Sequence, residues 1–264
     1  MEIFYIGIVF LICTVCAVAG IGGGVIIKPL FDAISPYDSV AVSMISLFAV
    51  LSMSASGVIR HLRMKTAFDK PRALRIAAGS MLGGIAGQLL FGLFKRAFPD
   101  PTVKLIQNSL LFLLLIAVLV YTLVSGKRGE KERSPHILVE IPAVFLTGMA
   151  AAFVGIGGGP INICLVCVLY GISVRAAAVY SLLMIVFSQS AKLVTCAVDG
   201  TLAKVEPKLW LLIAGIALAG IAGGIVGSYF NKKLKAVTVG RIYLAVLIVI
   251  IGIILYNVLH LVLR

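Results

Sequence analysis

Eight stretches of this 264-residue chain are almost purely apolar, and each approaches or reaches the length that a helix needs to cross a bilayer, roughly 17–25 residues. They cover residues 3–19, 40–59, 73–94, 105–124, 137–154, 176–198, 209–230 and 242–262. Membrane β-strands would alternate polar and apolar residues, whereas 110–120 and 244–255 are apolar on every face. The sequence therefore predicts an all-α integral membrane protein with about eight helical segments.

The composition supports the lipid bilayer as the surroundings of this chain. Residues are 61% hydrophobic and 12% charged, while soluble domains are near one-half apolar and one-quarter charged. The net charge of +13 lies in short clusters between apolar runs, which indicates a positive-inside bias and not a nucleic-acid surface. The N-terminus lacks a basic region before its first apolar run and is predicted to be retained.

A duplication divides the chain. The pentapeptide GIGGG occurs at 20–24 and again at 155–159, and the same offset of 135 pairs Ala41 with Ala176 and Ser46 with Ser181. The sequence GIAG at 84–87 recurs at 220–223. We therefore predict two homologous membrane repeats, 1–125 and 137–264, joined by a charged cytoplasmic linker at 126–136.

The two GIGGG runs are predicted to break the first helical segment of each half. Each glycine costs a helix about 1 kcal/mol relative to alanine, and the freed backbone groups need protein or water as partners. A helix that restarts after the break presents N–H groups that attract anions. Breaks at equivalent positions of two repeats point to a transporter's central site. The predicted backbone donors are Gly22, Gly23, Gly24, Gly157, Gly158 and Gly159; the alternative is close helix packing.

Lysine and arginine counts separate two topologies. If all eight segments cross with the N-terminus inside, 13 basic residues lie inside and 9 outside, with Lys192 excluded as intramembrane. If each broken segment is re-entrant, each half crosses three times, the halves are inverted, and the counts become 15 and 7 with the N-terminus outside. The second topology fits the positive-inside rule better. It places the central linker and the 60–75 loop in the cytoplasm.

At these motifs the chain resembles the TauE/SafE sulfite exporter family. The resemblance rests on GIGGGVIIKP at 20–29, GIGGGPIN at 155–162 and AVYSLLMIVFSQSAK at 178–192, and it extends over essentially the whole chain. It implies a transporter that moves sulfite, sulfonates or related small anions, often outward. Pro29 has no counterpart, because Cys164 stands at the equivalent position. The two half-sites are therefore expected to differ.

Polar side chains inside the apolar segments are further candidates for binding the anion. Lys192 is the most unusual, since an intramembrane lysine costs roughly 2.5–3.5 kcal/mol on insertion scales. The alternative for Lys192 is snorkelling to a nearby interface, and for the neutral residues it is hydrogen bonding between helices. The predicted substrate-binding side chains are Lys28, Ser46, Asn162, Ser181, Ser188, Gln189 and Lys192.

No cofactor, metal or catalytic residue is predicted. The five cysteines are an odd number inside apolar runs, which argues against a disulfide framework. The pairs Cys13/Cys16 and Cys164/Cys167 have CxxC spacing, yet the scattered histidines do not complete a zinc site. Glu140 is interpreted as a helix-start acid, with proton coupling as the alternative.

The leading hypothesis is a multi-pass plasma-membrane protein that exports a small anion as a secondary transporter. Sulfite or an organosulfonate is the preferred substrate, held at the two broken helices during alternating access. There is no nucleotide-binding P-loop. An anion channel and, less favoured, a membrane-embedded enzyme are the alternatives. The identity of the anion, the coupling ion and a homodimer are left open.

Overall fold

A computed structural model describes residues 2–65, 69–125 and 132–262, and the regular structure in these ranges is helical. The helices are α1 (Glu2–Ala19), α2 (Gly24–Ile34), α3 (Ser39–Arg63), α4 (Lys70–Ala97), α5 (Asp100–Ser125), α6 (Ile137–Val154), α7 (Gly159–Tyr170), α8 (Val174–Val198), α9 (Leu209–Lys233) and α10 (Ala236–Val262), with a 3-10 turn at Leu202–Lys204. Within these ranges, eight helices are long and apolar enough to cross a membrane. The prediction of an all-helical membrane protein is confirmed.

The first helical segment of each half is interrupted at its glycines. Helix α1 ends at Ala19 and α2 begins at Gly24, while α6 ends at Val154 and α7 begins at Gly159. Gly20 has φ 73° and Gly155 has φ 79°. Residues other than glycine rarely adopt this backbone conformation. Both helices therefore end at a position that favours glycine.

Equivalent helix starts carry equivalent caps. The Asp38 carboxylate accepts the N–H of Ala41 at the start of α3, and the Ser173 hydroxyl accepts the N–H of Ala176 at the start of α8. A side-chain acceptor at this position satisfies one of the N–H groups that a helix leaves unpaired. The two caps are 135 residues apart, which is the same offset that separates the two GIGGG runs.

Each broken pair begins and ends at the same end of the helix bundle. The ring of Tyr5, in the first turn of α1, lies 5.1 Å from the ring of Phe31 near the end of α2. Just before α6 begins, the N–H of Arg133 donates to the carbonyl of Tyr170, where α7 ends, at 2.8 Å. We refer to the end where α1 begins as the amino end and the end where α6 begins as the linker end.

Helices α3 and α8, which the repeat relates, are packed antiparallel. Ser43, near the start of α3, contacts Lys192, near the end of α8. A Cβ placed on Gly57, near the end of α3, would lie 3.2 Å from Leu182, near the start of α8. Equivalent helices that run in opposite directions are the arrangement found in inverted-topology repeats.

Helices α4 and α9 interlock the two halves. Helix α9 packs against α1 and α3 of the first half, and α4 packs against α6 and α8 of the second half. Glycines allow this approach: a Cβ on Gly83 would collide with the Phe145 carbonyl of α6, and one on Gly84 would lie 2.8 Å from the Ser188 carbonyl of α8. Small residues at such contacts let membrane helices approach closely. Long apolar side chains such as Leu89 and Leu211 are exposed and face the lipid.

Replacement of Gly83 by alanine should destabilise the protein. The new Cβ would overlap the backbone of α6, and overpacking of this kind typically costs about 1–3 kcal/mol. Gly92→Ala is the matched control in the same helix, because a Cβ there meets nothing within 4 Å. The measurement is the thermal unfolding midpoint in detergent, and equal or higher stability of Gly83→Ala would contradict the packing.

Cysteine labelling should place residues 2 and 36 on the same side of the membrane. Cysteines introduced as Glu2→Cys and Pro36→Cys, both at exposed positions, are expected to react with an impermeant thiol reagent from one side, and Ser134→Cys from the other. The wild type is the control, since its cysteines are buried or half-buried. Labelling of residues 2 and 36 from opposite sides would show that the first segment crosses completely.

Candidate functional site

The two GIGGG runs contact each other inside the helix bundle. A Cβ on Gly159 would collide with the backbone nitrogen of Gly22, and a Cβ on Gly24 would lie 2.8 Å from both the Ile156 carbonyl oxygen and the Ser46 hydroxyl. We refer to this contact between residues 20–24 and 155–159 as the glycine crossing. It brings together the predicted backbone donors of the two halves.

The carbonyl end of α1 at the crossing is satisfied by the protein. The side-chain amide of Asn231, on α9, donates to the carbonyl of Val18 at 2.6 Å. The N–H of Ile21 donates to the carbonyl of Cys16 at 2.8 Å, and the N–H of Gly20 to that of Ala17 at 3.3 Å. The carbonyl groups of Cys16, Ala17 and Val18, which the end of α1 leaves free in an apolar interior, are thus paired.

Lys28 satisfies the corresponding carbonyl end of α6. Its ammonium, 8% exposed, donates to the Val154 carbonyl at 2.6 Å and to the Gln107 side-chain oxygen at 2.8 Å. The Gln107 amide nitrogen donates in turn to the Phe153 carbonyl. A cation at a helix C-terminus is favoured by the helix dipole. Lys28 therefore has a structural task in the second half's break, and its predicted role toward the anion stays a prediction.

The amide ends of α2 and α7 are different. Neither helix has a side-chain hydrogen bond at its N-cap, which is Gly23 for α2 and Gly158 for α7. The first N–H groups of a helix have no partner within the helix and carry partial positive charge. In α2 the N–H groups of Val25 and Ile26 donate to the Gly22 and Gly23 carbonyls, at 3.2 and 3.1 Å. Uncapped helix N-termini of this kind are typical of anion sites.

Buried polar atoms without a partner among the described residues surround the crossing. They are Ser46 Oγ, Asn162 Oδ1 and Gln189 Nε2. Each lies beside a glycine of the motif, at 2.8, 2.9 and 3.7 Å from a Cβ placed on Gly24, Gly158 and Gly157 respectively. Buried groups that lack a partner are rare and often mark a missing ligand. These three residues were all predicted from the sequence.

Lys192 lies deep between α3 and α8 and is 1% exposed. Its ammonium donates to the hydroxyl of Ser43 at 2.9 Å. The side chain does not snorkel to an interface. Gln189, three residues earlier on α8, faces Gly157 of the crossing. Gln189 and Lys192 therefore lie about one helical turn apart along the contact between α3 and α8.

The two predicted serines of α8 have other contacts. The Ser181 hydroxyl donates to the Gly159 carbonyl at 3.3 Å, at the edge of the crossing. The Ser188 hydroxyl donates to the Ile185 carbonyl of its own helix at 3.2 Å, and the Ser188 backbone packs against Gly84 of α4. The structure brings Ser181 to the crossing and directs Ser188 to a helix contact.

A cavity opens at each end of the bundle. The linker-end cavity has a volume of about 640 Å³, and its wall includes the cationic side chains of Lys65, Arg72, Arg175 and Lys232 together with Asp69 and Glu132. The amino-end cavity has a volume of about 300 Å³, and its wall includes Ser43, Gln88, Lys95, Arg96, Asp199 and Lys204. The crossing and Lys192 lie between them.

The remaining titratable candidates belong to helix packing. Glu140 is fully buried and forms an ion pair with Arg75 at 2.9 Å, which joins α6 to α4. Cys13, Cys16, Cys164 and Cys167 are not joined in disulfide bonds. The described residues contain no cluster of three or more metal-ligating side chains.

Sequence reasoning missed the side chains that complete these contacts. Gln107 and Asn231 cap carbonyl groups, and Ser43 and Gln88 line the amino-end cavity. A polar residue within an apolar segment was the only available signal. For Ser43 the spacing of three from Ser46 also indicated a shared face of α3.

These features define a polytopic helical membrane protein whose two broken helices meet at a buried glycine contact. The chain matches the family model described as Sulfite exporter TauE/SafE over residues 5–255, and it belongs to this family. Membership implies a transporter that exports sulfite or a related sulfur anion. No curated protein and no solved structure matches the chain.

Lys28→Met and Lys192→Met should have opposite effects on stability. Loss of Lys28 leaves the Val154 carbonyl and Gln107 without their charged donor, which should cost about 1.5–3 kcal/mol. Loss of Lys192 removes a buried charge that holds one hydroxyl, so stability should be unchanged or higher. Thermal unfolding without added anion measures both, and a destabilised Lys192→Met would contradict this assignment.

Proposed function

We propose that this protein is a secondary transporter that exports a small sulfur oxyanion, with sulfite preferred, and that the glycine crossing binds it. The supporting observation is the asymmetry of the broken helices: side chains donate to the Val18 and Val154 carbonyls at the ends of α1 and α6, whereas no side chain caps the start of α2 or α7. The proposed ligands are the N–H groups of Gly22, Gly23, Gly24, Gly157, Gly158 and Gly159 with the side chains of Ser46, Asn162 and Gln189. All of these can donate hydrogen bonds to an oxyanion.

The proposed site suits a compact anion. Sulfite and sulfonates present three oxygens that accept hydrogen bonds, and charge-assisted hydrogen bonds of this kind are the strong ones. The glycines leave no side chain between the backbone and the ligand. Buried Lys192 adds positive potential from α8 without occupying the crossing.

We propose inverted repeats and alternating access as the mechanism. Support comes from the antiparallel packing of α3 on α8 and from the return of each broken pair to its own end. In such folds one repeat rocks against the other around a fixed central site. The cavities at opposite ends of the crossing are the expected routes for entry and exit.

We propose that the linker end faces the cytoplasm. The higher count of lysine and arginine residues belongs to this end, as the positive-inside rule requires. Its larger cavity carries four cationic side chains against two acidic ones, a field that would concentrate anions from the cytoplasm before export. An anion channel is the second candidate, because two aligned cavities would also serve diffusion.

Variants at the crossing should reduce anion flux. In vesicles that contain the purified protein and are loaded with sulfite, Ser46→Ala and Gln189→Leu should each lower sulfite release about tenfold or more, since each loses a hydrogen bond to a charged ligand. Thr147→Val is the control, because the Thr147 hydroxyl bonds only to carbonyls of its own helix.

The wild-type flux itself separates the mechanisms. A carrier should saturate with sulfite and accelerate when sulfite is present on both sides, whereas a channel should conduct far faster without exchange. Absence of sulfite or sulfonate flux in the wild type would contradict the proposed function. Wild-type flux with unaffected Ser46→Ala and Gln189→Leu would contradict the proposed site.

A further inference from the structure

The amino-end cavity leads to a buried cation that lies outside the glycine crossing. Ser43, whose hydroxyl accepts from Lys192, is part of the cavity wall. From this we infer that Ser43, Gln88 and Lys192 form a second anion-binding site at the inner end of this cavity. Its ligand is a small sulfur oxyanion that leaves the crossing, an identity that rests on the proposed function.

The surroundings of Lys192 call for an anion. The ammonium has three N–H donors, and the bond to Ser43 is the one it makes with the described residues. None of the described carboxylates forms an ion pair with it. A buried charge is stable only when it is paired and hydrogen-bonded. An oxyanion would supply both the opposite charge and the missing acceptors.

Gln88 lines the amino-end cavity together with Ser43 and has a polar atom without a hydrogen-bond partner among the described residues. It lies on α4, is 5% exposed, and its Oε1 has no partner among the described residues. Rotation of the amide exchanges Oε1 with the Nε2 donor. The hydroxyl of Ser43 accepts from Lys192 and so keeps its own proton for the ligand. The three side chains therefore present donors from α3, α4 and α8.

The second site lies about one helical turn from the crossing along α3 and α8. Ser46 follows Ser43 by three residues on α3, and Gln189 precedes Lys192 by three on the antiparallel α8. Three residues advance a helix by about 4.5 Å. An anion released by Ser46 and Gln189 would reach Ser43 and Lys192 with one short movement.

The equivalent place at the linker end lacks the serine and the lysine, although the buried Ser228 hydroxyl of α9 lies 2.9 Å from a Cβ placed on Gly57. The 135-residue offset relates Ser43 to Ala178 and Lys192 to Gly57. These residues are packed, with Gly20 against Ala178 and Gly57 near Leu182. Among the described residues, the pairing of a buried lysine with a serine hydroxyl between α3 and α8 is therefore found toward the amino end. It distinguishes the route of exit from the route of entry.

A cysteine reporter in the cavity tests the site. Gly92 lines the cavity and has open space for a side chain, so Gly92→Cys should react with an impermeant anionic thiosulfonate from the amino end. Sulfate or methanesulfonate should slow this reaction at least fivefold, and sodium gluconate at equal ionic strength should not. Sulfite itself is avoided because it cleaves the mixed disulfide that the reagent forms.

Second substitutions in the Gly92→Cys background identify the ligands. Lys192→Met, Gln88→Leu and Ser43→Ala should each raise the half-protecting sulfate concentration about tenfold or more. Thr195→Val should leave it unchanged, because the Thr195 hydroxyl bonds to its own helix. Wild-type protein, with its cysteines buried or half-buried, gives the background labelling.

The outcomes separate this site from the transport function. Protection that depends on Lys192 and Gln88 supports the site even if vesicles show no sulfite flux. An unreactive Gly92→Cys, absence of protection, or protection that survives both Lys192→Met and Gln88→Leu would overturn the inference. Sulfite flux in the wild type would in that case leave the glycine crossing as the proposed site.

Discussion

The rest of this structure depends on the need to pair backbone polar groups inside hydrocarbon. A continuous helix meets this need by itself, but a helix broken at GIGGG frees carbonyl groups on one side and N–H groups on the other. Here distant side chains pair the carbonyls: Asn231 for α1, and Lys28 and Gln107 for α6. The N–H groups of α2 and α7 have no side-chain cap. The proposed preference of this centre for an anion rests on this difference between the carbonyl and N–H sides of each break.

The same requirement explains why the halves are interlocked. The residues that satisfy one break come from both repeats, since Asn231 belongs to the second half and pairs a carbonyl of the first. The glycine faces of α4 and α9 bring each middle helix against the broken helix of the other repeat. A repeat alone would leave both its glycine face and its broken helix without their main contacts. The two sequence repeats are therefore parts of one folding unit.

Local sequence signals predicted the helices, because hydropathy over 20 residues and glycine content are properties of a single segment. They also pointed to Gln189 and Lys192, since a polar group within an apolar run is conspicuous. The sequence did not predict which residues form hydrogen bonds with each other, because the partners are far apart along the chain. Lys28 and Val154 are separated by 126 residues, and Lys192 and Ser43 by 149. The repeat offset relates equivalent residues, whereas antiparallel packing brings together residues that are not equivalent. The contacts of Lys28 with the Val154 carbonyl and Gln107 were therefore not predicted, and its role toward the anion stays a prediction.

Positions that the 135-residue offset relates carry different side chains, and this difference bears on the proposed transport. The positions equivalent to Ser43 and Lys192 are Ala178 and Gly57. Ala178 packs against Gly20, and Gly57 lies near Leu182 and the Ser228 hydroxyl, so the linker end has no counterpart of the Ser43–Lys192 pair at these positions. In a perfectly symmetric protein the two end states would have equal energy. In the proposed mechanism, an anion that moves toward the amino end reaches the buried ammonium of Lys192, and opening of the linker end would separate Gly20 from Ala178. We expect the free energy for this separation to come from substrate binding. A ligand shifts the equilibrium between two conformations by the difference in its affinity for them.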